Sequence, residues 1–250
     1  MKLAKLVRRM KGKGFLFFLF VLLVFSSFVY SAGIVNSRHD LSALWGKGMQ
    51  TSYNQYNQVC VYCHTPHGGK TEAPLWNRNV NSPGNYILYN SATMDNSPST
   101  VSGISLACLS CHDGTIAVDS LINAPGSGLN WTGANSTYHR KMSTNYTDNL
   151  SCSKCHAFEA GYGDSDHRVA YLGTDLSNDH PISMNYPPTS DFKTPDDPNK
   201  GWGGSSPSDI KLYAGKVECA SCHNVHDPAV VPFLRISNSS SQLCMRCHVK

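Results

Sequence analysis

The chain has 250 residues, with 21 Lys+Arg against 17 Asp+Glu, 11 His and a formal net charge of +4. Six of the basic residues (Lys2, Lys5, Arg8, Arg9, Lys11 and Lys13) crowd the first 13 positions with no acid among them, so the remainder carries about −2. A nucleic-acid role thereby loses its electrostatic support, and no nucleic-acid partner is expected.

After the basic run, Phe15 to Tyr30 is apolar apart from Ser26 and Ser27. This is the n-region and h-region of a secretory signal peptide, predicted over 1–31 with cleavage after Ser31 or Ala32. The apolar run is shorter than the roughly 20 residues that span a bilayer. No stable membrane span is therefore expected after signal cleavage, and the rest of the chain, 32–250, reads as one domain.

All ten cysteines then fall in five copies of one signal, Cys-x-x-Cys-His: Cys60/Cys63/His64, Cys108/Cys111/His112, Cys152/Cys155/His156, Cys219/Cys222/His223 and Cys244/Cys247/His248. A Cys pair alone is more often a zinc site or a redox dithiol. Chance would place His after all five pairs with probability on the order of 10⁻⁷, so the pattern reads as the attachment signal for c-type haem. The two cysteines add to one porphyrin as thioethers and the adjacent histidine lies beneath the iron as proximal ligand. The expected cofactor is five covalent haem c groups.

First cysteines follow one another at steps of 48, 44, 67 and 25 residues, so there is no strict period, and the last two motifs are close enough to form a tight two-haem unit. Gly, Pro, Ser and Asn are dense and no stretch holds a sustained helical or alternating period. The expected fold is mostly coil with short α-helices and few short strands, organised by haem. Short helices are predicted at Ser208–Val217 and Ser240–His248. A short edge strand is predicted at Val230–Ile236, containing Pro232, and a surface loop over 187–208. The four tryptophans and twelve tyrosines read as haem packing.

Six histidines remain for the opposite axial positions: His39, His67, His139, His167, His180 and His226. His67 and His226 each lie three residues after a motif histidine. Three residues cannot reach around a porphyrin, so as ligands these two must serve neighbouring haems. Met142 and Met184 are the competing distal ligands, and a Met/His iron would have a raised potential.

With these motifs the chain resembles multihaem c-type cytochromes of the paired-CxxCH class, in particular tetrahaem periplasmic or extracellular electron-transfer cytochromes, some of them filament-forming. The resemblance implies that the segments around His39 and His180 deliver distal ligands. Together with His67 and His226 they would serve the haems at Cys60, Cys108, Cys219 and Cys244. Residues 130–172 then read as an insertion bringing the Cys152 haem, with His139 or His167 as its ligand. The resemblance also implies export to the periplasm or the cell exterior, redox partner proteins or extracellular electron acceptors, and self-assembly into filaments completed by a histidine such as His39 on a loose N-terminal segment. The expected function is electron transfer by an electron carrier that is not an enzyme. The alternative is a multihaem reductase of the nitrite, hydroxylamine or sulfite type with one open iron position.

Overall fold

Glycine, proline, serine and asparagine punctuate the chain so often that regular elements stay short. A computed structural model describes residues 33–42, 58–97, 100–118, 120–124, 141–142, 171–203 and 209–249. Within these, the helices are α1 (Gly103–His112), α2 (Cys219–Cys222) and α3 (Cys244–Cys247), with 3₁₀ turns at Val59–Tyr62, Pro83–Asn85 and Ser239–Ser241. Two two-stranded sheets complete the set. β1 (Ile87–Leu88) runs parallel to β2 (Asp175–Leu176), and β3 (Met184–Asn185) antiparallel to β4 (Lys216–Val217). The architecture is the expected one, coil with short helices and few strands.

The longest element, α1, begins after Ser102, which has extended backbone, and ends at Asp113. It buries Ser105, Leu106, Ala107, Leu109 and Ser110, small and large side chains on several faces. That pattern belongs to a helix enclosed by other chain rather than lying on a surface. One hydrophobic cluster joins Leu106 and Leu109 to Tyr86, Val101 and Leu176. A second joins Ala107 to Ala73 and Trp76, and a third gathers Val61, Tyr62, Val118 and Leu121. Each of the first two motifs thus contributes residues to a cluster.

Three expectations need correction. Ser208–Val217 forms no helix in its described part, 209–217. Tyr213 and Lys216 exchange backbone hydrogen bonds across Ala214 (φ 52°) and Gly215 (φ 78°), a two-residue hairpin turn that requires left-handed backbone, and β4 leaves it. Val230–Ile236 is no strand. Leu234 makes a single bridge to His223, and Phe233 takes positive φ, which breaks an extended run. At 240–248 the helix is shorter than predicted, a 3₁₀ turn over Ser239–Ser241 followed by α3. The described part of the predicted surface loop, 187–203, contains no helix or strand and is mostly exposed, but Trp202 is buried and pins it inward.

The signal segment 1–31, the third motif (Cys152, Cys155, His156), His139 and His167 lie outside the described residues. Among the described residues no helix is long and apolar enough to cross a membrane.

Candidate haem-binding site

The first and fourth motifs are built by the same local device. In the first, the His64 ring Nδ1 lies 2.7 Å from the Pro74 carbonyl oxygen. In the fourth, His223 Nδ1 lies 3.0 Å from the Pro232 carbonyl oxygen. A carbonyl accepts only, so Nδ1 is the donor, and in the neutral ring this leaves the lone pair on Nε2, the tautomer a metal-binding imidazole needs. The loop that brings each proline back turns through a non-glycine residue of positive φ, Leu75 (55°) and Phe233 (59°). It closes with backbone hydrogen bonds from Asn77 to the Cys63 carbonyl and from Arg235 to the Cys222 carbonyl, 2.9 and 2.8 Å. At Gly69 a Cβ would sit 2.6 Å from Leu75 backbone, so the first loop closes only around glycine.

The second and fourth motifs meet through α1 and α2. The carboxylate of Glu218, 2% exposed, accepts hydrogen bonds from the hydroxyls of Ser102, Ser105 and Ser183. Glu218 also caps α2 through Ser221. Ser105 in turn accepts from the Cys219 backbone N–H at 3.0 Å. The Cys108 thiol is raised well above its ordinary range by its hydrogen bond to Cys219 and by burial. Burial, followed by the neighbouring Cys111, pushes the Cys63 thiol up to about 12.

Histidines converge from distant parts of the sequence. His226 stacks with His64 at a ring separation of 6.1 Å and 19° between planes. His39 faces His112 at 6.0 Å and 61°, and its other neighbour is Phe233 at 4.5 Å. Burial, then the charges of His112, His223 and His226, lower the His39 pKa to about 4. Burial and then His64 also lower that of His226. Five histidines, 39, 64, 112, 223 and 226, therefore share one region, three from motifs and two from the surplus.

The segment around His39 is a set of hydrogen-bonded turns rather than a loose arm. Its Asp40 is buried and accepts from the Asn36 backbone N–H at 2.7 Å and the Ser42 hydroxyl at 2.5 Å. The structure does not bring His67 or His180 to another histidine ring among the described residues. The His180 ring Nδ1 is held 3.0 Å from the Pro181 carbonyl. Met184 is buried in β3, and the Met142 carbonyl lies against Gly114.

The fifth motif packs against the 187–203 segment. Phe192 lies 4.7 Å from the His248 ring, and Lys193 N–H and the Tyr186 hydroxyl both donate to the Cys247 carbonyl. Cys244 and His248 line one open cavity of about 530 Å³ with Ser240, Ser241 and Met245.

These residues fit haem c. The described cysteines are free thiols, as thioether formation requires. Two imidazoles on opposite sides of one metal, each bound at roughly 2 Å, place their ring centres about 6 Å apart, the separation both histidine pairs have. The His39 Nδ1 is also buried without a hydrogen-bond partner. Among the described residues no three His, Cys, Asp or Glu side chains converge as a set for a bare metal ion.

The carbonyls of Pro74 and Pro232, and the side chains of Asn77 and Arg235, escaped the reading of the sequence. A signal for them exists: Pro-Leu-Trp-Asn and Pro-Phe-Leu-Arg each follow a Cys-x-x-Cys-His-x-x-His stretch at nearly the same distance.

Residues 212–250, which hold the fourth and fifth motifs, match the family described as "Doubled CXXCH motif". The match supports the multihaem c-type cytochrome class and covalently bound haem c. No curated protein matches the chain.

Proposed function

We propose that the chain is an exported electron carrier that holds five covalent haem c groups with mainly bis-histidine ligation. The observation that carries this reading is the pairing of a motif histidine with a surplus histidine at 6.0 and 6.1 Å. Bound haem c supplies a one-electron iron couple whose potential follows ligand, burial and hydrogen bonding.

The chain's own part is attachment and orientation. Cys60, Cys63, Cys108, Cys111, Cys152, Cys155, Cys219, Cys222, Cys244 and Cys247 fasten the groups. His64, His112, His156, His223 and His248 would each hold the iron of the haem attached beside it. His226 would share an iron with His64, and His39 one with His112. His67, His180 and one of His139 and His167 would serve the others. With two imidazoles each, the irons beside His64 and His112 would have no position left for a substrate, which favours the carrier over the reductase.

In this reading 1–31 is the signal, 32–250 the cytochrome domain with its insertion at 130–172, and the protein works in the periplasm or outside the cell with redox partner proteins or extracellular acceptors. His39, the candidate for completing a neighbouring subunit in a filament, lies against His112 and Phe233 of its own chain, which supports ligation within one chain. Mass measurement of the secreted protein, with a low-temperature spin-state spectrum, tests the reading. Five haem increments and wholly low-spin ferric iron are expected. A bare polypeptide mass would overturn it, and a substantial high-spin signal would favour the reductase.

A further inference from the structure

Two neighbouring side chains with no part in attachment or ligation are completely buried: Asn77 and Arg78, both 0% exposed. They hold different motifs. The Asn77 side-chain amide donates to the Val61 carbonyl, between Cys60 and Cys63, at 2.8 Å. Arg78 holds the second motif. Its Nε donates to the Ser110 hydroxyl at 3.1 Å and one Nη to the Ser110 carbonyl at 2.8 Å, between Cys108 and Cys111. Its remaining bonds go to the carbonyls of Val118 and Ala117, 2.5 and 2.9 Å.

Every one of these acceptors is a neutral oxygen. A guanidinium stays protonated in proteins, and burying a charge without a partner of opposite sign is costly. Of the carboxylates near the ends of α1, Glu72 makes no bond to Arg78, and Glu218 and Asp113 are engaged elsewhere. Glu218 accepts from Ser102, Ser105 and Ser183. Asp113 accepts from Tyr86 at 2.7 Å and from Thr115. A tether needs no charge, since Asn77 ties the first motif with a neutral amide. The charge is the part of Arg78 that tethering leaves unexplained.

We propose that Arg78 is an electrostatic tuning residue whose buried cation holds up the reduction potential of the haem attached through Cys108 and Cys111. Reduction adds one electron, and a fixed positive charge in a low-dielectric interior favours the reduced form. The field reaches the first motif as well, because Arg78 is among the charges acting on Cys63. Arg78 thus makes the second haem a preferred resting place for an electron within the chain. The inference rests on the haem-carrier reading above.

The test is an optical redox titration of the full-length, haem-loaded protein beside Arg78→Lys and Arg78→Gln, with the haem content of each taken from its mass. Arg78→Gln is expected to shift one component of the titration to lower potential. A tenfold change in its reduction equilibrium corresponds to about 59 mV for one electron. Arg78→Lys keeps the charge and is expected to leave the curve in place. If the Gln variant does not mature, Arg78→Met is read the same way. A fully loaded Gln or Met variant that titrates as the wild type overturns the inference alone, as does a Lys variant shifted as far as Gln. Absence of covalent haem from the wild type overturns the carrier reading and this inference with it.

Discussion

Single backbone carbonyls decide how the His64 and His223 rings present themselves. Pro74 and Pro232 offer carbonyls to His64 and His223, leaving Nε2 of both rings free. His226 reaches His64 from more than 150 positions away in the chain, so His226→Ala should leave the haem count unchanged while a high-spin signal appears in the ferric spectrum. His67→Ala, at the matching place after the first motif, should leave the His64 site as it is. Asn77 anchors three backbone groups at once: the Val61 and Asn123 carbonyls and the Asn123 N–H. Asn77→Ala leaves these buried groups unpaired, at a cost of about 3 kcal/mol, read as a fall in the thermal midpoint. The motif residues were legible in the sequence because thioether chemistry fixes their spacing. Asn77 and Arg78 were not, since a polar pair in a polar stretch gives no hint of complete burial.

At the scale of elements, the hairpin 213–216 shows what turn chemistry requires. Ala214 is exposed and carries φ 52° just before Gly215 at 78°. A left-handed Ala costs about 1–2 kcal/mol, whereas Asn-Gly is the preferred pair for such a turn. Ala214→Asn is expected to gain about 1 kcal/mol, a rise in midpoint of roughly 2–4 °C for a chain of this size, checked by thermal unfolding. The helix predicted at 208–217 failed for the same reason: Ser208 followed by Ile210 and Leu212 resembles a capped helix, but the Ala-Gly pair turns the chain back. In the opposite sense α1 was missed. Its Ser105 and Ser110 are fully buried, held by Glu218 and Arg78. The described fold is legible as a class, short elements in coil, because composition sets element length. Individual boundaries depend on contacts between residues far apart.

For the molecule as a whole, two tyrosines link distant segments through their hydroxyls, that of Tyr86 buried and that of Tyr186 partly exposed. Tyr86 donates to Asp113 at 2.7 Å, and Tyr186 to the carbonyls of Lys193 and Cys247 at 2.8 and 3.1 Å. Burial raises both hydroxyls above their ordinary 10.0, helped by Asp113 for Tyr86. Above pH 10 an unfolded tyrosine loses its proton while the folded one keeps it. The unfolded state then binds fewer protons, so stability falls as pH rises beyond that point. Thermal midpoints should decline above pH 10, and more steeply in the wild type than in the Tyr86→Phe, Tyr186→Phe double variant.

The contact of His226 with His64, and of Phe233 with His39, also sets an order of manufacture. If His226 completes the proposed pair with His64, the first attachment point to leave the ribosome is among the last to be finished, because its second imidazole then comes from the tail of the chain. A product ending at residue 218 would keep Cys60, Cys63 and His64 yet lack that imidazole, and should take up its first porphyrin with one face open to small ligands such as carbon monoxide. Interrupted synthesis would therefore yield a reactive fragment, whereas the finished chain would close that face itself.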